Sequence, residues 1–190
     1  MEELRIGFAL CGSFCTFSKV LPALEALAAK YPQVIPIMSE AARSTDTRYG
    51  ESGEIVRRVE AACGRSILRT IAQAEPIGPR GLLDVLVVAP CTGNTLAKLA
   101  AGVTDSVVTM ACKAQLRNDR PVVLALATND ALSGNAKNIG ALLERRNIYF
   151  VPFGQDDPEK KPASLVADMT KIEPAMLLAL EGRQLQPLLS

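Results

Sequence analysis

The sequence predicts an α/β fold: a single doubly wound parallel sheet with helices on both sides. Three observations predict it. Short apolar runs recur at Leu4–Leu10, Val34–Met38, Val85–Ala89, Pro121–Ala127 and Ile148–Phe153, as expected of strands buried on both faces of a parallel sheet. Between them, apolar residues recur at spacings of three and four, the stripe of a helix lying on a core. Strand and helix alternate along the chain, which calls for right-handed crossovers between parallel strands. The chain has 190 residues, no internal repeat and no dividing linker, so it reads as one domain over residues 1–190 with a substantial core.

The first strand ends in Cys11-Gly12-Ser13, and a helix follows to about Lys30, burying Phe17, Val20, Leu24 and Leu27. Tyr31-Pro32 ends it, because a residue before proline is pushed out of the helical region. After the second strand, Ser39 opens a polar stretch reaching Gly53, and Glu54–Cys63 regain helical spacing through Ile55, Val56, Val59 and Ala62. The segment Ile67–Ile77 reads as a helix leading into a short edge strand. Pro90, with no N–H to give a ladder, is expected to stop the third strand. One helix is then expected to carry Leu96, Leu99, Ala100, Val103 and Val107 on a common stripe. Thr128-Asn129-Asp130 form the turn after the fourth strand, and a helix runs from about Asn135 to Arg146. Gly154–Pro162 read as an exposed loop and Ser164–Glu181 as an amphipathic helix that Pro174 interrupts. Together these elements predict a Rossmann- or flavodoxin-like three-layer sandwich.

Composition excludes several functions. A formal charge of +1 gives no electrostatic reason to expect nucleic acid as a partner. No apolar run has the length of a membrane span, and Met1-Glu2-Glu3 is unlike a secretory leader, so a cytoplasmic protein is expected. The five cysteines are odd in number and lack zinc spacing, so they read as reduced thiols, and no metal is expected. There is no histidine. That removes Ser–His–Asp and Cys–His catalysis, most zinc sites and the usual proton shuttle near neutral pH. Acid–base work must fall to Asp, Glu, Lys, Tyr, Cys, a cofactor or a partner protein.

The most informative stretch is residues 84 to 105, in which a buried strand runs through Pro90-Cys91-Thr92-Gly93-Asn94-Thr95 into a helix. Open α/β sheets build ligand crevices at such places. Gly12-Ser13, after the first strand, would offer backbone N–H groups and a hydroxyl to a phosphate, although serine there is also an ordinary helix cap. It belongs to neither a Gly-x-Gly-x-x-Gly fingerprint nor a lysine-bearing Walker loop. Ser39 would add a hydroxyl, while Asn129 and Asn135 are candidates beside the fourth strand. Each alone has a local explanation as a turn or cap residue. Their convergence is what argues for a site: parallel strands bring Ser13, Ser39, Thr92 with Asn94, and Asn129 to one side of the sheet. Cys91 reads as a small buried residue and Lys98 as a solvated or salt-bridged one.

With those residues stated, Pro90 to Asp105 resemble the signature of the homo-oligomeric flavin-containing cysteine decarboxylase family, often simply called the flavoprotein family. In that family a Pro-x-x-x-Asn-Thr loop followed by Lys-x-Ala-x-Gly-x-x-Asp meets FMN. The resemblance covers roughly residues 5 to 153 and is most specific at Asn94-Thr95. It implies FMN, with Gly12, Ser13 and Ser39 at the phosphate and Thr92, Asn94 and Thr95 at the ribityl chain and ring; it also implies homo-oligomer contacts. Ala74–Gly78, Ala127–Gly140 and Tyr149–Asp157 are similar to one branch of the family, whose members take part in oxidising a dihydrodipicolinate-type precursor to dipicolinate. That implies a small diacid substrate, with Asn129 and Asn135 the best placed to meet it. It also implies a partner A subunit carrying NADP, and the mother cell of a spore-forming bacterium. The chain departs from the decarboxylases in having no histidine, in Thr128–Asn135 replacing their substrate motif, and in Gly93, where alanine or serine is common. A non-catalytic subunit and a stand-alone FMN-binding lyase or transferase are the alternatives.

Overall fold

A computed structural model describes residues 4 to 189. The sheet is built outward from β3 (Val85–Cys91), whose seven residues are all buried. β1 (Arg5–Leu10) lies parallel on one side, with Ile6–Ala9 facing Val85–Val88, and β4 (Val122–Thr128) lies parallel on the other. β2 (Gln33–Met38) runs parallel outside β1, and β5 (Ile148–Phe150) pairs with the first half of β4. The parallel order is therefore β2-β1-β3-β4-β5, the flavodoxin-type arrangement. β3 and β4 are Val-, Leu- and Ala-rich because helices cover both of their faces, leaving no wet face on which polar residues could alternate.

α1 (Phe17–Lys30) joins β1 to β2, while α5 (Gly93–Ala101) and α6 (Val107–Arg117) join β3 to β4. The chain steps in opposite directions from β1 and β3, so right-handed crossovers place these connections on opposite faces. α8 (Ile172–Leu180) packs against β3, β4 and β5 on the α1 side, where Lys30 and the Tyr31 hydroxyl both donate to Glu173 Oε1, at 2.5 and 2.8 Å. On the other side α7 (Ala136–Leu143) packs on α5, and α4 (Ile71–Ala74) packs on α6. α2 (Glu40–Ser44) and α3 (Ser52–Cys63) follow β2, with α3 against both β2 and α1. Among the described residues no helix is long and apolar enough to cross a membrane.

Several local expectations are corrected. β3 does not stop at Pro90; it runs on to Cys91, with a register shift between Val88 and Cys91 that accommodates the missing donor. The polar stretch after Ser39 contains α2. Residues 67–77 hold no edge strand: Leu68 makes one isolated bridge to Ile37, and α4 starts from a capping box of Thr70 and Gln73. The stripe from Leu96 to Val107 spans two helices, because Gly102 takes a left-handed C-terminal position (φ 72°) and Ser106 with Thr109 caps a new start. Within the expected terminal helix, Leu165–Ala167 form β7, antiparallel to the end of β4, and β6 (Phe153–Gly154) pairs with β7. Pro174 breaks nothing, since α8 begins at Ile172 and a proline in the first turn gives up an N–H that has no intrahelical acceptor.

At the opposite end of the sheet from the expected crevice, Asp84 ties three segments together. It accepts from the Arg5 backbone N–H (2.9 Å), Arg5 Nε (3.1 Å) and Nη2 (2.7 Å), and Arg120 Nη1 (2.8 Å). Burial pushes its carboxyl up, but the bonds from Arg5 and the charge of Arg120 outweigh that, and the balance is downward. Its contribution is therefore complete above the ordinary carboxyl range and lost as pH falls through the lowered folded value. Asp84→Asn should reduce unfolding free energy by about 1–3 kcal/mol near neutral pH. Denaturant melts of both proteins should show the gap narrowing on acidification, and a pH-independent gap would point to packing instead of charge.

Candidate functional site

The ends of β1, β2 and β3 meet through short contacts. Ser39 N–H donates to Leu10 O (3.0 Å) and Cys11 N–H to Pro90 O (3.3 Å), so the outgoing loops start side by side. The Thr95 hydroxyl donates to Cys11 Sγ (3.3 Å), fastening the start of α5 to the end of β1. A Cβ on Gly12 would stand 3.2 Å from Ala41 Cβ, so the first loop lies against the first turn of α2. Gly12-Ser13, Ser39 and Thr92–Thr95 are thereby brought into one neighbourhood. Four other clefts among the described residues take in none of Gly12, Ser13, Ser39, Thr92 or Asn94.

Local roles differ among these residues. Ser13 precedes a three-residue 3-10 turn, Phe14–Thr16, where the sequence predicts the start of an α-helix; α1 opens only at Phe17. The Ser13 hydroxyl caps nothing, and its carbonyl accepts from Thr16 N–H and Oγ1. Ser39 caps α2 by accepting from Ala42 N–H (3.3 Å), which leaves its own hydroxyl hydrogen free. Thr92 caps α5, accepting from Thr95 N–H (3.3 Å) and donating to Thr95 Oγ1 (3.1 Å). Thr95 is buried and committed to Cys11, so it serves the loop itself. Asn94 is exposed in the first turn of α5, where backbone N–H groups have no intrahelical acceptor.

The fourth strand contributes a network that the sequence does not reveal. Asp130 accepts from Thr128 Oγ1 (2.5 Å) and Asn135 Nδ2 (2.8 Å), and Asn135 Oδ1 accepts from Asn138 Nδ2 (2.8 Å). Asn135 is 6% exposed and has both ends of its amide engaged, whereas Asn129 is exposed. The Thr128 hydroxyl is the main cause holding the Asp130 carboxyl below its usual range; burial works against it and Asn135 adds to it. The network closes on Gly93, where a Cβ would stand 2.5 Å from Thr128 Oγ1, 2.6 Å from Asn135 Nδ2 and 2.8 Å from Asp130 Oδ1. A glycine at the first helical position of α5, opposite a Thr-Asn-Asp turn, was the available signal.

The flavoprotein family model matches residues 1–176. The chain belongs to the flavoprotein family. The B subunit of dipicolinate synthase from Bacillus subtilis (strain 168) is 48% identical over 189 residues, covering 100% of this chain and 94% of that protein. The crystal structure of the corresponding B subunit from Bacillus halodurans C superposes with a TM-score of 0.90 at 44% identity, over 98% of this chain and 96% of that one. The FMN-dependent cysteine decarboxylase SpaF superposes with a TM-score of 0.67 at 25% identity, over 93% and 97%.

Beneath the polar face of this flavoprotein lie buried sulfurs. Burial pushes the Cys11 thiol up to about 11, against the hydrogen bond from Thr95. It holds Cys91 and Cys112 well above the ordinary thiol range too. These groups stay protonated near neutral pH and supply no thiolate nucleophile. Of the five cysteines only Cys15 is exposed. Titration of the native protein with a colorimetric disulfide reagent should therefore give one fast equivalent, with the rest released on unfolding. Fast reaction in a Cys15→Ser variant would contradict the burial of the others.

Gly93→Ala should disrupt the Thr128–Asp130–Asn135 network and destabilise the fold by about 1–3 kcal/mol. In an Asn135→Ala background the same change should be milder, because one of the three atoms it would crowd is gone, although Thr128 Oγ1 and Asp130 Oδ1 remain. A double-mutant cycle from chemical melts checks this, and strict additivity would show that Gly93 and Asn135 act independently.

Proposed function

We propose that this chain is the flavoprotein-type subunit of a dipicolinate synthase, which with an NADP-binding A subunit oxidises a dihydrodipicolinate-type precursor to dipicolinate during sporulation. The observation that carries the reading is full-length identity of 48% to a protein of that name. The donor set at the strand ends suits FMN. The Ser13 hydroxyl and the Ser39 hydroxyl hydrogen are uncommitted, and α2 also carries Arg43, whose buried Nε has no partner. Gly12, Ser13 and Ser39 would hold the phosphate. Asn94, with Thr92 and Thr95 shaping its loop, would meet the ribityl chain and ring. Bound FMN would supply a two-electron acceptor.

The chain's own residues set what else the crevice can do. Asn129 and Asn135 stand on the substrate side, and Asn135 acts by holding Asp130. That ionised carboxylate would repel a diacid's carboxylates and so favour one orientation of it. A homo-oligomer would wall the crevice. The second reading, a non-catalytic subunit that completes the A subunit's site, is favoured by one observation: the start of α5 is already crowded by the chain's own Thr128, Asp130 and Asn135.

Alone, the chain should show no dehydrogenase turnover; mixed with the A subunit it should support NADP-linked formation of dipicolinate, followed by the product's ultraviolet absorption. Absorbance of the purified chain reports flavin directly. Asn94→Trp, at an exposed position, should abolish flavin uptake and most of the mixture's activity while the two chains still co-elute. Full activity with the crevice blocked would leave the chain a structural role.

A further inference from the structure

A cleft of about 450 Å3 lies between the end of α5, one face of α6 and the turn into β5, away from the strand-end crevice. That volume is within the range of small-molecule sites. Its apolar lining comes from Leu99, Val103 and Leu116, and Val103 is left 43% exposed. Around this lining stand Lys113, Arg145 and Arg146, with Arg117 at the edge and Asp119 as the one carboxylate. Asp119 is already engaged, by Asn147 Nδ2 at 3.3 Å and Arg146 Nη1 at 3.8 Å. Arg145 Nη1 donates to Leu99 O (2.9 Å) at the end of α5, which fixes its stem and leaves other guanidinium donors available.

Among the described residues neither Lys113 nor Arg145 is paired with a carboxylate, and Arg146 reaches only the exposed Asp119, at 3.8 Å. Elsewhere Arg5, Lys30, Arg58 and Lys98 each sit on a carboxylate, and the whole chain carries a formal charge of only +1. Asp119 (φ 53°) and Asn147 (φ 64°) are the non-glycine residues with left-handed backbone among those described, and both line the cleft.

We propose that this cleft is a second ligand site, which takes a small polyanion with an apolar body. The anionic groups would meet Lys113, Arg145 and Arg146, and the body would lie on Leu99, Val103 and Leu116. Carboxylates and phosphates share this chemistry, so an aromatic dicarboxylate and a nucleotide are its two sources. The small concave shape favours such a ligand over a flat protein surface. The site shares no lining residue with the strand-end crevice.

Calorimetric titration of the chain with pyridine-2,6-dicarboxylate and, separately, with adenosine diphosphate tests the proposal, with inorganic phosphate as the bare anion. In the Asn94→Trp background, where the strand-end crevice is blocked, one of the two organic ligands should saturate a single site per chain, and which one does so identifies the source. The double variant Lys113→Glu with Arg146→Glu changes two exposed side chains, and an unchanged melting temperature would show it folded. It should bind at least about tenfold more weakly. Asn94→Trp should leave binding here unaltered, which separates this site from the crevice. The proposal fails if neither organic ligand binds at about millimolar concentration, if the double variant binds as well as the parent, or if inorganic phosphate binds as tightly as the organic ligands.

Discussion

All seven residues of β3 are buried, so its backbone donors and acceptors have no access to water and must be met by β1 and β4. Each unmet group would cost about 1–3 kcal/mol, and that requirement sets the parallel register of the three central strands. The register in turn decides which loops are neighbours. At Pro90, where the ladder lacks a donor, the register shifts, and the Pro90 carbonyl accepts the N–H of Cys11. The discontinuity in the sheet is thus also the point at which the first and third strand ends are joined. Thr95 repeats the connection one residue layer out, through Cys11 Sγ.

The crevice is organised as a polar skin over an apolar, sulfur-lined floor. Below it, Cys11, Cys91 and Cys112 keep their protons because burial disfavours charge. Above it stand hydroxyls, amides and one ionised carboxylate. A chain without histidine has no side chain that naturally exchanges protons near neutral pH. Acid–base work must therefore fall to its Asp, Glu, Lys, Tyr or Cys side chains, a bound group or a second protein. Asp130 is held in ionised form by Thr128 and Asn135, and so acts on the crevice as a fixed negative charge more than as a proton carrier.

Central elements were legible in the sequence because burial on both faces writes itself as unbroken apolar runs, as in Val85–Ala89 and Val122–Ala127. The doubly wound parallel sheet followed from the alternation of such runs with helical stripes. What was hidden depends on distance in space. The three residues of β7 are too few to display a period of two, and they sit in a stretch whose apolar spacing also suits a helix. Gly102 was readable as a break only with its left-handed backbone known. Asp130 looked like an ordinary turn residue; its part in the network depends on Asn135 and Gly93, one of which lies on another loop. Asn94 stood out in the sequence through the Pro-x-x-x-Asn-Thr loop after the third strand, and it is exposed in the first turn of α5.

β4 has two different partners on the same edge. Its first half takes β5 in parallel, and its last two residues take β7 antiparallel. The strand that carries Thr128 into the crevice is therefore completed by a segment made much later by the ribosome. During synthesis the amino-terminal strands can pair as they emerge, while the edge of β4 beside Thr128 stays open. An open edge of this kind invites pairing with other chains. Until β7 is made, the turn after β4 lacks its antiparallel brace. The arrival of β7 closes the edge of β4 beside Thr128.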